Sequence, residues 1–365
     1  MLWVLPLEPL PERYTEQWWR WFVKSFQSHA IDYRMIDGHT LTQSVETGLV
    51  LDAAGTNFWK FSQLMHVCEL FHTRQVKDGD KFFTMDMWHP GLEAIPYMAC
   101  LYNVDIFIYA FLHAGSYTLE DFAEPMSRWA ADFEIGWARI CDKIFVGSEY
   151  HRAEFIKQRL SHGRYRSSSP KVIVTGNPFD SSEVSKWVTK PVEARKRIVI
   201  FPHRWDKEKH PEKFIRIMND VWDRNIQFRA IISTGRQKLN DQYEYLSQAR
   251  FPYEVRTGLS KKAYYESLAE ARVMVSTAVD EHFGYCTAEA IAAGCAVVVP
   301  NKWSYPELLS HDSRFLYSSY LDAADSISGF LENPVPVPFY YVQKYDRSVD
   351  RIIDEMQGMR GNCQP

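Results

Sequence analysis

Short apolar runs alternate with longer amphipathic stretches along most of the chain. In the first half, runs typical of strands lie at 2–7, 48–52, 81–86, 103–113, 142–148 and 171–180. Among the segments between them, 90–103, 126–141 and 148–160 have the apolar spacing of helices. Strands that are apolar on both faces and alternate with helices indicate a parallel sheet covered by helices.

The same alternation starts again in the second half. Five further apolar runs lie at 197–203, 228–235, 253–258, 273–278 and 295–300, after the polar, turn-rich segment 176–196. The sequence therefore predicts an α/β protein with two doubly wound, Rossmann-like domains. The predicted boundaries are 1–178 for an N-terminal domain and 179–338 for a C-terminal domain, with a helix in 339–365 that packs back on the N-terminal domain. A chain of 365 residues is long enough for two such cores.

Composition narrows the setting in which the protein works. The net charge of -4 argues against a global attraction to nucleic acid or anionic lipid. The six cysteines are scattered without a C-x-x-C pair, which argues against a disulfide framework or a zinc site and fits a reducing compartment. The N-terminal stretch lacks the pattern of a signal peptide, and no apolar run is long enough to cross a bilayer. We expect a cytoplasmic protein without integral membrane association, either a monomer or a dimer.

The stretch DEHFGYCTAEAIAAGCAVVVP (280–300) places two glutamates among apolar and small residues. Glu281 falls in the loop after a predicted strand, Gly284 opens the next helix, and Glu289 lies further along that helix. A carboxylate can accept two hydrogen bonds from a vicinal diol, and a nucleotide sugar has such diols on its ribose and on its hexose. These glutamates are therefore candidates to bind sugar hydroxyls. The alternative for Glu289 is a glutamate that only stabilises its own helix.

A second candidate segment is IVIFPHRWDKEKHPEKF (198–214). Arg204 and Lys209 follow the first strand of the second series, and ligands of open parallel sheets bind beyond the carboxyl ends of the strands. Two fixed cations at that edge suit a diphosphate, whose charge grows as it leaves. The alternative is a charged loop that is only solvated.

Together these segments resemble the donor-binding half of retaining glycosyltransferases of family 4, whose two Rossmann-like domains face a central cleft (the GT-B fold). Members carry Arg-x4-Lys and Glu-x7-Glu, and both spacings occur here. The resemblance implies that Arg204 and Lys209 hold the diphosphate, that Glu281 contacts the transferred sugar and that Glu289 binds the ribose.

The resemblance also assigns donor-side positions around these motifs. His282, Phe283 and Gly284 would lie near the sugar and the phosphate of the donor. IFIYAFLHAGS (106–116) resembles the family's strand that ends in a functional histidine, which makes His113, together with Glu281, a candidate catalytic residue. The alternative for His113 is a structural, hydrogen-bonded histidine. The glycine-rich first loop of the family is absent, because PLEPLPERYTEQWWRWF (6–22) stands in its place.

The implied chemistry is transfer of the sugar on the face from which the diphosphate leaves. Since Arg204 and Lys209 would stabilise the leaving group, we expect no metal and no cofactor other than a donor substrate such as a UDP- or GDP-sugar. An inverting reaction would instead need a general base at the acceptor hydroxyl, for which Asp86, His89 and His113 are candidates.

The acceptor is less well marked. PHRWDKEKHPEKF (202–214) resembles the corresponding stretch of enzymes that mannosylate queuosine in transfer RNA, and 151–171 carries six Lys or Arg against one Glu. Clustered tryptophans, Trp18 and Trp59 among them, would offer faces on which a base stacks. We therefore expect a hydroxyl on a modified nucleobase in DNA or tRNA, with Asp86, His89, Trp18 and Trp59 on the acceptor side.

Three alternatives remain open at this point. The acceptor is a lipid or a cell-surface glycan, which basic amphipathic helices of such enzymes reach at a membrane. The protein is a sugar-nucleotide epimerase, which keeps the donor site and needs no acceptor. Or it is an inactive GT-B protein that only binds.

Overall fold

The computed structural model describes residues 1–10, 13–41, 53–161, 171–235 and 241–358. The chain divides into two compact units. The first unit contains Met1–Pro178 and the C-terminal segment from Arg347, and the second unit contains Phe179–Asp346.

The first unit is built on a sheet of six strands in which every pairing is parallel. Its strands are β1 (Leu2–Leu5), β2 (Tyr33–Met35), β3 (Asp80–Thr84), β4 (Ile106–Phe111), β5 (Lys143–Val146) and β6 (Lys171–Val174), in the order β2-β1-β3-β4-β5-β6. The predicted strand 48–52 lies outside the described residues. The sequence did not signal β2, because it is a three-residue edge strand whose Arg34 points to solvent.

Helices of the first unit cover this sheet. They are α1 (Tyr14–Ser28), α2 (Phe58–His72), α3 (Ala94–Tyr102), α4 (Ser127–Ile140) and α5 (Glu149–Phe155). A π-helical turn, Ala53–Asn57, precedes α2, and a second, Ile156–Leu160, follows α5. The apolar face of α1 is set by Trp18, Phe22 and Phe26, whose spacing of four residues puts them on one side of the helix, where all three are fully buried.

The second unit repeats this architecture. Its sheet is parallel, with the order β12-β11-β10-β7-β8-β9. The strands are β7 (Ile198–Phe201), β8 (Arg229–Thr234), β9 (Tyr253–Thr257), β10 (Val273–Val275), β11 (Ala296–Pro300) and β12 (Leu316–Tyr317). The helices are α6 (Ser181–Ser185), α7 (Pro211–Asp223), α8 (Lys261–Glu270), α9 (Tyr285–Ala292), α10 (Tyr305–Leu308), α11 (Tyr320–Glu332) and α12 (Tyr340–Gln343).

The last helix, α13 (Ser348–Gln357), packs on the first unit. Ser25 of α1 donates to Asp350 (2.6 Å), and Lys143 of β5 pairs with Glu355 (2.8 Å). Ile352 and Ile353, on the inner face of α13, are buried. No helix in the described ranges is both long enough and apolar enough to span a membrane.

The predicted α/β class with two doubly wound parallel sheets is confirmed. All five strands expected in the second half are present, and the sequence missed only the two-residue strand β12. In both sheets the central strands are buried on both faces, as in Val273–Val275, so polar side chains that bind ligands are expected in the loops at the strand ends.

Candidate functional site

The predicted donor-side residues of the second unit lie after two neighbouring strands. Arg204 and Lys209 follow β7, which ends at Phe201, and Glu281 follows β10, which ends at Val275. Since β7 and β10 pair in parallel, their carboxyl ends meet at one edge of the sheet. Thr277, also just after β10, donates to the backbone oxygen of Lys209 (2.7 Å) and so ties the two loops together.

We call Arg204, Lys209, Glu208 and Glu281 the donor-side cluster. Its central contact joins Lys209 to Glu281. The Nζ atom of Lys209 lies 3.2 Å from Oε2 of Glu281, and both side chains are largely buried, with 14% and 20% exposed. Burial lowers the pKa of Lys209, but the nearby carboxylates of Glu281 and Glu208 outweigh it and hold that pKa above its usual value. Lys209 is therefore always positively charged, and its ammonium group faces Glu281, the residue that is predicted to contact the sugar.

Arg204 is held beside this pair by acidic neighbours. Its guanidinium donates to Glu208 and lies 3.4 Å from Asp206, and the side chain is 38% exposed. Glu208 is buried and also lies 3.7 Å from Lys209. The two cations thus face three carboxylates, those of Asp206, Glu208 and Glu281, so a diphosphate that binds here has to displace at least one of these acidic partners.

The loop that carries Glu281 depends on Gly284. This glycine precedes α9 with φ of +87°, a left-handed conformation that favours glycine. Its backbone N–H donates to Oε1 of Glu281 (3.1 Å), and a Cβ at this position would lie 3.3 Å from Tyr305 and 3.5 Å from Leu308. The conformation of Gly284 and the orientation of the Glu281 carboxylate are therefore linked.

Glu289, the predicted ribose ligand, is buried and is surrounded by donors from α8. Its carboxylate lies 3.1 Å from Lys261 and accepts from the hydroxyls of Tyr264 (2.9 Å) and Tyr265 (3.3 Å). Lys261 also lies over both tyrosine rings, at 5.6 and 5.4 Å. A ribose at Glu289 would have to share or replace these hydrogen bonds.

Two other predicted donor-side residues flank Glu281. The Nε2 atom of His282 lies 3.8 Å from Oδ1 of Asp280, and both side chains are buried. Phe283 is buried in the core, where its ring meets Tyr345 edge to face (4.9 Å). Phe283 therefore offers a ligand its backbone rather than its side chain.

The sequence patterns did not identify His203, which directly precedes Arg204, as a candidate site residue. Its side chain is buried, and within the described ranges its Nε2 has no hydrogen-bond partner. Burial lowers the pKa of His203 well below the usual value, and the charges of Lys209 and Arg204 lower it further. The available signal was its place, two residues beyond β7 and next to the predicted cations.

In the first unit, His113 lies at the carboxyl edge of β4 and is committed to internal contacts. Its Nε2 lies 2.7 Å from the carbonyl oxygen of Met85, which can only accept, so Nε2 carries the proton and donates. The Nδ1 atom then accepts from the hydroxyl of Tyr14 (3.4 Å), and the ring packs on Trp18 at 4.6 Å. Burial lowers the pKa of His113, which keeps the ring neutral.

Asp86 follows β3 and forms an ion pair with Lys60 (2.6 Å), which also donates to the backbone oxygen of Trp88. Burial raises the pKa of Asp86, but Lys60 and His113 outweigh this effect and hold the pKa below its usual value. Asp86 is consequently an ionised, weakly basic carboxylate. His89 is buried, and burial together with Lys60 lowers its pKa to about 3.

The tryptophans that were predicted to stack on a base are buried instead. Trp18 is 0% exposed and packs on His113, and Trp59 is 8% exposed and donates from Nε1 to the carbonyl oxygen of Pro6 (3.0 Å). The apolar spacing that clusters them in the sequence reflects the core of the first unit. Neither offers an open face to a nucleobase.

The basic stretch 151–171 is only partly described, since 162–170 lies outside the described residues. Of the remainder, Arg159 forms a buried ion pair with Glu134. The other ion pairs are local, joining Arg152 to Glu149 (2.8 Å) and Lys157 to Glu154 (3.2 Å). Within the described part of this stretch, the basic charge is therefore largely neutralised.

Comparison with known proteins places the donor-side cluster in a family. Residues 185–345 match the family described as glycosyl transferases group 1. The matched residues make up most of the second unit, Phe179–Asp346, which is therefore similar to group 1 glycosyl transferases. The match spans all the donor-side residues from Arg204 to Glu289, so the predicted glycosyltransferase resemblance is confirmed for the unit that carries them.

Individual relatives extend the likeness. The chain is 28% identical over 125 residues to the tRNA-queuosine alpha-mannosyltransferase of Drosophila melanogaster, which covers 34% of this chain and 33% of that protein. The chain thus spans about a third of the length of this curated relative.

Solved structures match over nearly the whole chain. A sucrose-phosphate synthase from Thermosynechococcus elongatus is similar with a TM-score of 0.68 and 12% identity, over 96% of this chain and 94% of that chain. A trehalose 6-phosphate synthase from Burkholderia multivorans is similar with a TM-score of 0.66 and 10% identity, over 98% of each chain. At this level of identity the likeness establishes the fold alone, which is the GT-B fold.

Proposed function

We propose that the protein is a retaining glycosyltransferase that transfers a sugar from a nucleoside diphosphate sugar to an acceptor hydroxyl. The observation that carries this proposal is the contact of Lys209 with Glu281 beside Arg204, at the carboxyl edge of β7 and β10. Two cations suit the diphosphate and an oriented carboxylate suits a sugar hydroxyl. The match of this unit to group 1 glycosyl transferases supports the same reading.

In this mechanism Arg204 and Lys209 stabilise the negative charge that develops on the departing diphosphate, a role that requires no metal. A diphosphate would replace Glu208 on the guanidinium of Arg204, and Glu281 would accept hydrogen bonds from the transferred sugar. The backbone N–H of Gly284 keeps the Glu281 carboxylate aimed while its other oxygen faces Lys209.

Retention is favoured by the chemistry of the candidate bases. An inverting enzyme needs a base whose pKa lies near the working pH. His89 has a pKa of about 3, and those of Asp86 and His113 lie below their usual values. His113 also uses both ring nitrogens internally. None of these three residues suits the proton abstraction that inversion requires.

For the acceptor, we propose a hydroxyl on a modified nucleobase in tRNA or DNA. Support comes from the partial match to an enzyme whose name gives tRNA-queuosine as its substrate. The ion-paired basic stretch and the buried tryptophans do not add to this support. A lipid or glycan acceptor, an epimerase and an inactive binding protein are therefore separate outcomes of the test.

The test is release of nucleoside diphosphate from UDP-, GDP- and ADP-sugars, with EDTA present. Each donor is combined with no acceptor, bulk tRNA, DNA containing 5-hydroxymethylpyrimidines, lipid vesicles, or a soluble oligosaccharide whose turnover alone would indicate a glycan acceptor. We expect release with one nucleic acid, abolished in Glu281→Gln and retained in the matched exposed variant Glu266→Gln. Release only with vesicles would replace the nucleobase by a lipid acceptor.

Two other results would contradict the proposed transferase function itself. Isomerised donor without release would identify an epimerase. Neither binding nor turnover of any donor would leave an inactive fold. The anomeric configuration of the product, determined by NMR, then decides between retention and inversion.

A further inference from the structure

We propose that Glu8 binds a hydroxyl group of the acceptor in the first unit. The inference rests on the proposed transferase function, since it concerns the substrate that receives the sugar. It assigns a role to the segment that replaces the family's glycine-rich loop, PLEPLPERYTEQWWRWF (6–22).

Glu8 lies at the edge of the sheet where ligands of parallel sheets bind. It follows the carboxyl end of β1, which is flanked by β2 and β3. Asp86 and His89 follow β3 at the same edge. Since β1 and β3 pair in parallel, with Leu5 opposite Thr84, these loops begin side by side.

The carboxyl group of Glu8 is buried and only half satisfied. The residue is 3% exposed, and its Oε1 accepts from the hydroxyl of Thr56 (2.8 Å) and lies 4.0 Å from a guanidinium nitrogen of Arg13. Its Oε2 is buried without a hydrogen-bond partner among the residues that the structure describes. Such an oxygen lowers stability, because its hydration is lost and nothing replaces it.

The loop around Glu8 is rigidly held, so the half-satisfied state is not a loose conformation. The carbonyl oxygen of Pro6 accepts two hydrogen bonds from α2, from Trp59 (3.0 Å) and from Gln63 (2.8 Å). Further along, the backbone N–H of Leu10 donates to Thr15 (3.2 Å). A prolyl ring on each side, at Pro6 and Pro9, limits the backbone further.

A second buried carboxylate in the same unit shows what a structural role looks like. Asp80 is 5% exposed and lies at the opposite end, where β3 begins. It accepts from the indole of Trp3 (2.9 Å) and from the backbone N–H of Lys77 (3.0 Å), and the terminal amine of Met1 lies 3.1 Å away. Asp80 has partners for both oxygens, whereas Glu8 keeps one oxygen unpaired at the ligand-binding edge.

The unpaired atoms at this edge also indicate the chemistry of the ligand. Gln63 donates to the carbonyl oxygens of Pro6 and Ile36, which fixes its amide, so its Oε1 accepts from Nε2 of His89 (3.1 Å). The neutral ring of His89 is left with an accepting Nδ1, which is buried and unpartnered within the described ranges. Two accepting atoms call for O–H or N–H donors and repel phosphate.

The two oxygens of Glu8 are interchangeable in these contacts. The terminal torsion of glutamate is broad and two-fold, so Oε1 and Oε2 exchange places at little cost. One oxygen then stays with Thr56 while the other accepts from the acceptor hydroxyl. Glu8 is thus assigned to binding of the acceptor, and it has no contact with the donor in this assignment.

The experiment compares apolar replacements of the two carboxylates. Glu8→Met should raise the KM for the acceptor about 10- to 100-fold, as expected for loss of a hydrogen bond to a charged group, with the KM for the donor unchanged. Glu8→Gln, which keeps one accepting oxygen, should fall between Met and the native residue. The acceptor used is the tRNA or modified DNA that supports release by the native protein. Asp80→Leu should leave the KM for the acceptor unchanged.

Thermal unfolding gives a second readout that needs no acceptor. Glu8→Met should keep or raise the midpoint, whereas Asp80→Leu should lower it by several degrees. A lowered midpoint in Glu8→Met, or an unchanged acceptor KM, would overturn the inference. Failure of the proposed function looks different, because the native protein itself would then release no diphosphate from any donor.

Discussion

The two units share one architecture but differ in how their polar side chains are used. In the second unit, the cations and carboxylates after β7 and β10 converge on one another, with Lys209 3.2 Å from Glu281. In the first unit, most polar groups at the corresponding edge bind other residues of the same unit. His113 donates to the backbone of Met85, and Asp86 pairs with Lys60. Residue spacing along the chain thus predicts where residues of one or two neighbouring loops lie, as in the second unit. It does not predict a binding site for the acceptor, because such a site depends on contacts between segments that are far apart in sequence.

The largest test of this contrast is removal of the central cation. Lys209→Met should lower kcat/KM for the donor by about 10²- to 10³-fold, because the departing diphosphate loses its buried partner. The matched change is Lys207→Met, an exposed lysine in the same turn, which should alter kcat/KM only slightly. Equal losses in the two variants, measured by steady-state kinetics, would mean that general charge and not the position of Lys209 matters.

Backbone geometry in the second unit gives the next largest effect. Gly284→Ala places a side chain at φ of +87° and should cost about 1 to 2 kcal/mol of unfolding free energy. It should also lower donor turnover about tenfold or more, since the Glu281 carboxylate loses its alignment. Urea unfolding and diphosphate release measure the two effects.

The control for Gly284→Ala is a helical glycine in the same unit. Outside the adjacent residues and the backbone of its own helix, no atom of the described residues lies within 4 Å of the position that a Cβ would take at Gly329 of α11, so Gly329→Ala should stabilise the protein by about 0.5 to 1 kcal/mol with turnover unchanged. If both alanines behaved alike, the positive φ of Gly284 would have no special role.

Acid should destabilise both units through their buried histidines. Burial lowers the pKa values of His203 in the second unit and of His89 in the first. As the pH falls, each histidine therefore binds a proton in the unfolded chain before it does so in the folded protein. Stability is therefore retained above about pH 6.5 and lost as the pH falls below it, by up to about 1.4 kcal/mol per pH unit for each histidine. For His89 the loss continues down to about pH 3.

Unfolding free energies measured between pH 7.5 and 5 check this prediction. His203→Gln and His89→Gln should each reduce the slope, and the double variant should reduce it by the sum of the two. A slope that either substitution left unchanged would show that the histidine in question is already protonated in the folded state.

The smallest expected effect concerns the acidic partner of Arg204. Glu208→Gln should lower the KM for the donor a few-fold, because the diphosphate no longer competes with a carboxylate for the guanidinium. The gain should change little between 0.05 and about 0.5 M salt, because Glu208 is buried and salt screens buried charges only weakly. A higher KM in this variant would mean that Glu208 positions Arg204 for the donor.

Much of the fold could be predicted because strands such as Val273–Val275 are buried on both faces and appear as unbroken apolar runs. The proximity of Arg204, Lys209 and Glu281 could be predicted because each follows the end of a strand by a few residues, and the strands β7 and β10 are neighbours. The burial of Trp18 and Trp59 could not be predicted, since clustered aromatics have the same spacing in a core as on a surface.

The unpartnered atoms of Glu8 and His203 lay beyond prediction for a different reason. Each residue is singled out by a polar atom that lacks a hydrogen-bond partner within the described ranges, and no sequence pattern reports a missing partner. Edge strand β2 was missed because three residues are too few to show an alternation.

The charge balance of the donor-side cluster has a consequence for the kinetics of encounter. The charges of Arg204 and Lys209 are offset by those of Asp206, Glu208 and Glu281, so this part of the surface exerts little long-range attraction on anions. We therefore expect free inorganic phosphate and unrelated nucleotides to gain little from this surface, and association with a nucleotide sugar to depend only weakly on ionic strength. Discrimination would then arise after contact, when a ligand that carries both a diphosphate and sugar hydroxyls exchanges with the internal ion pairs.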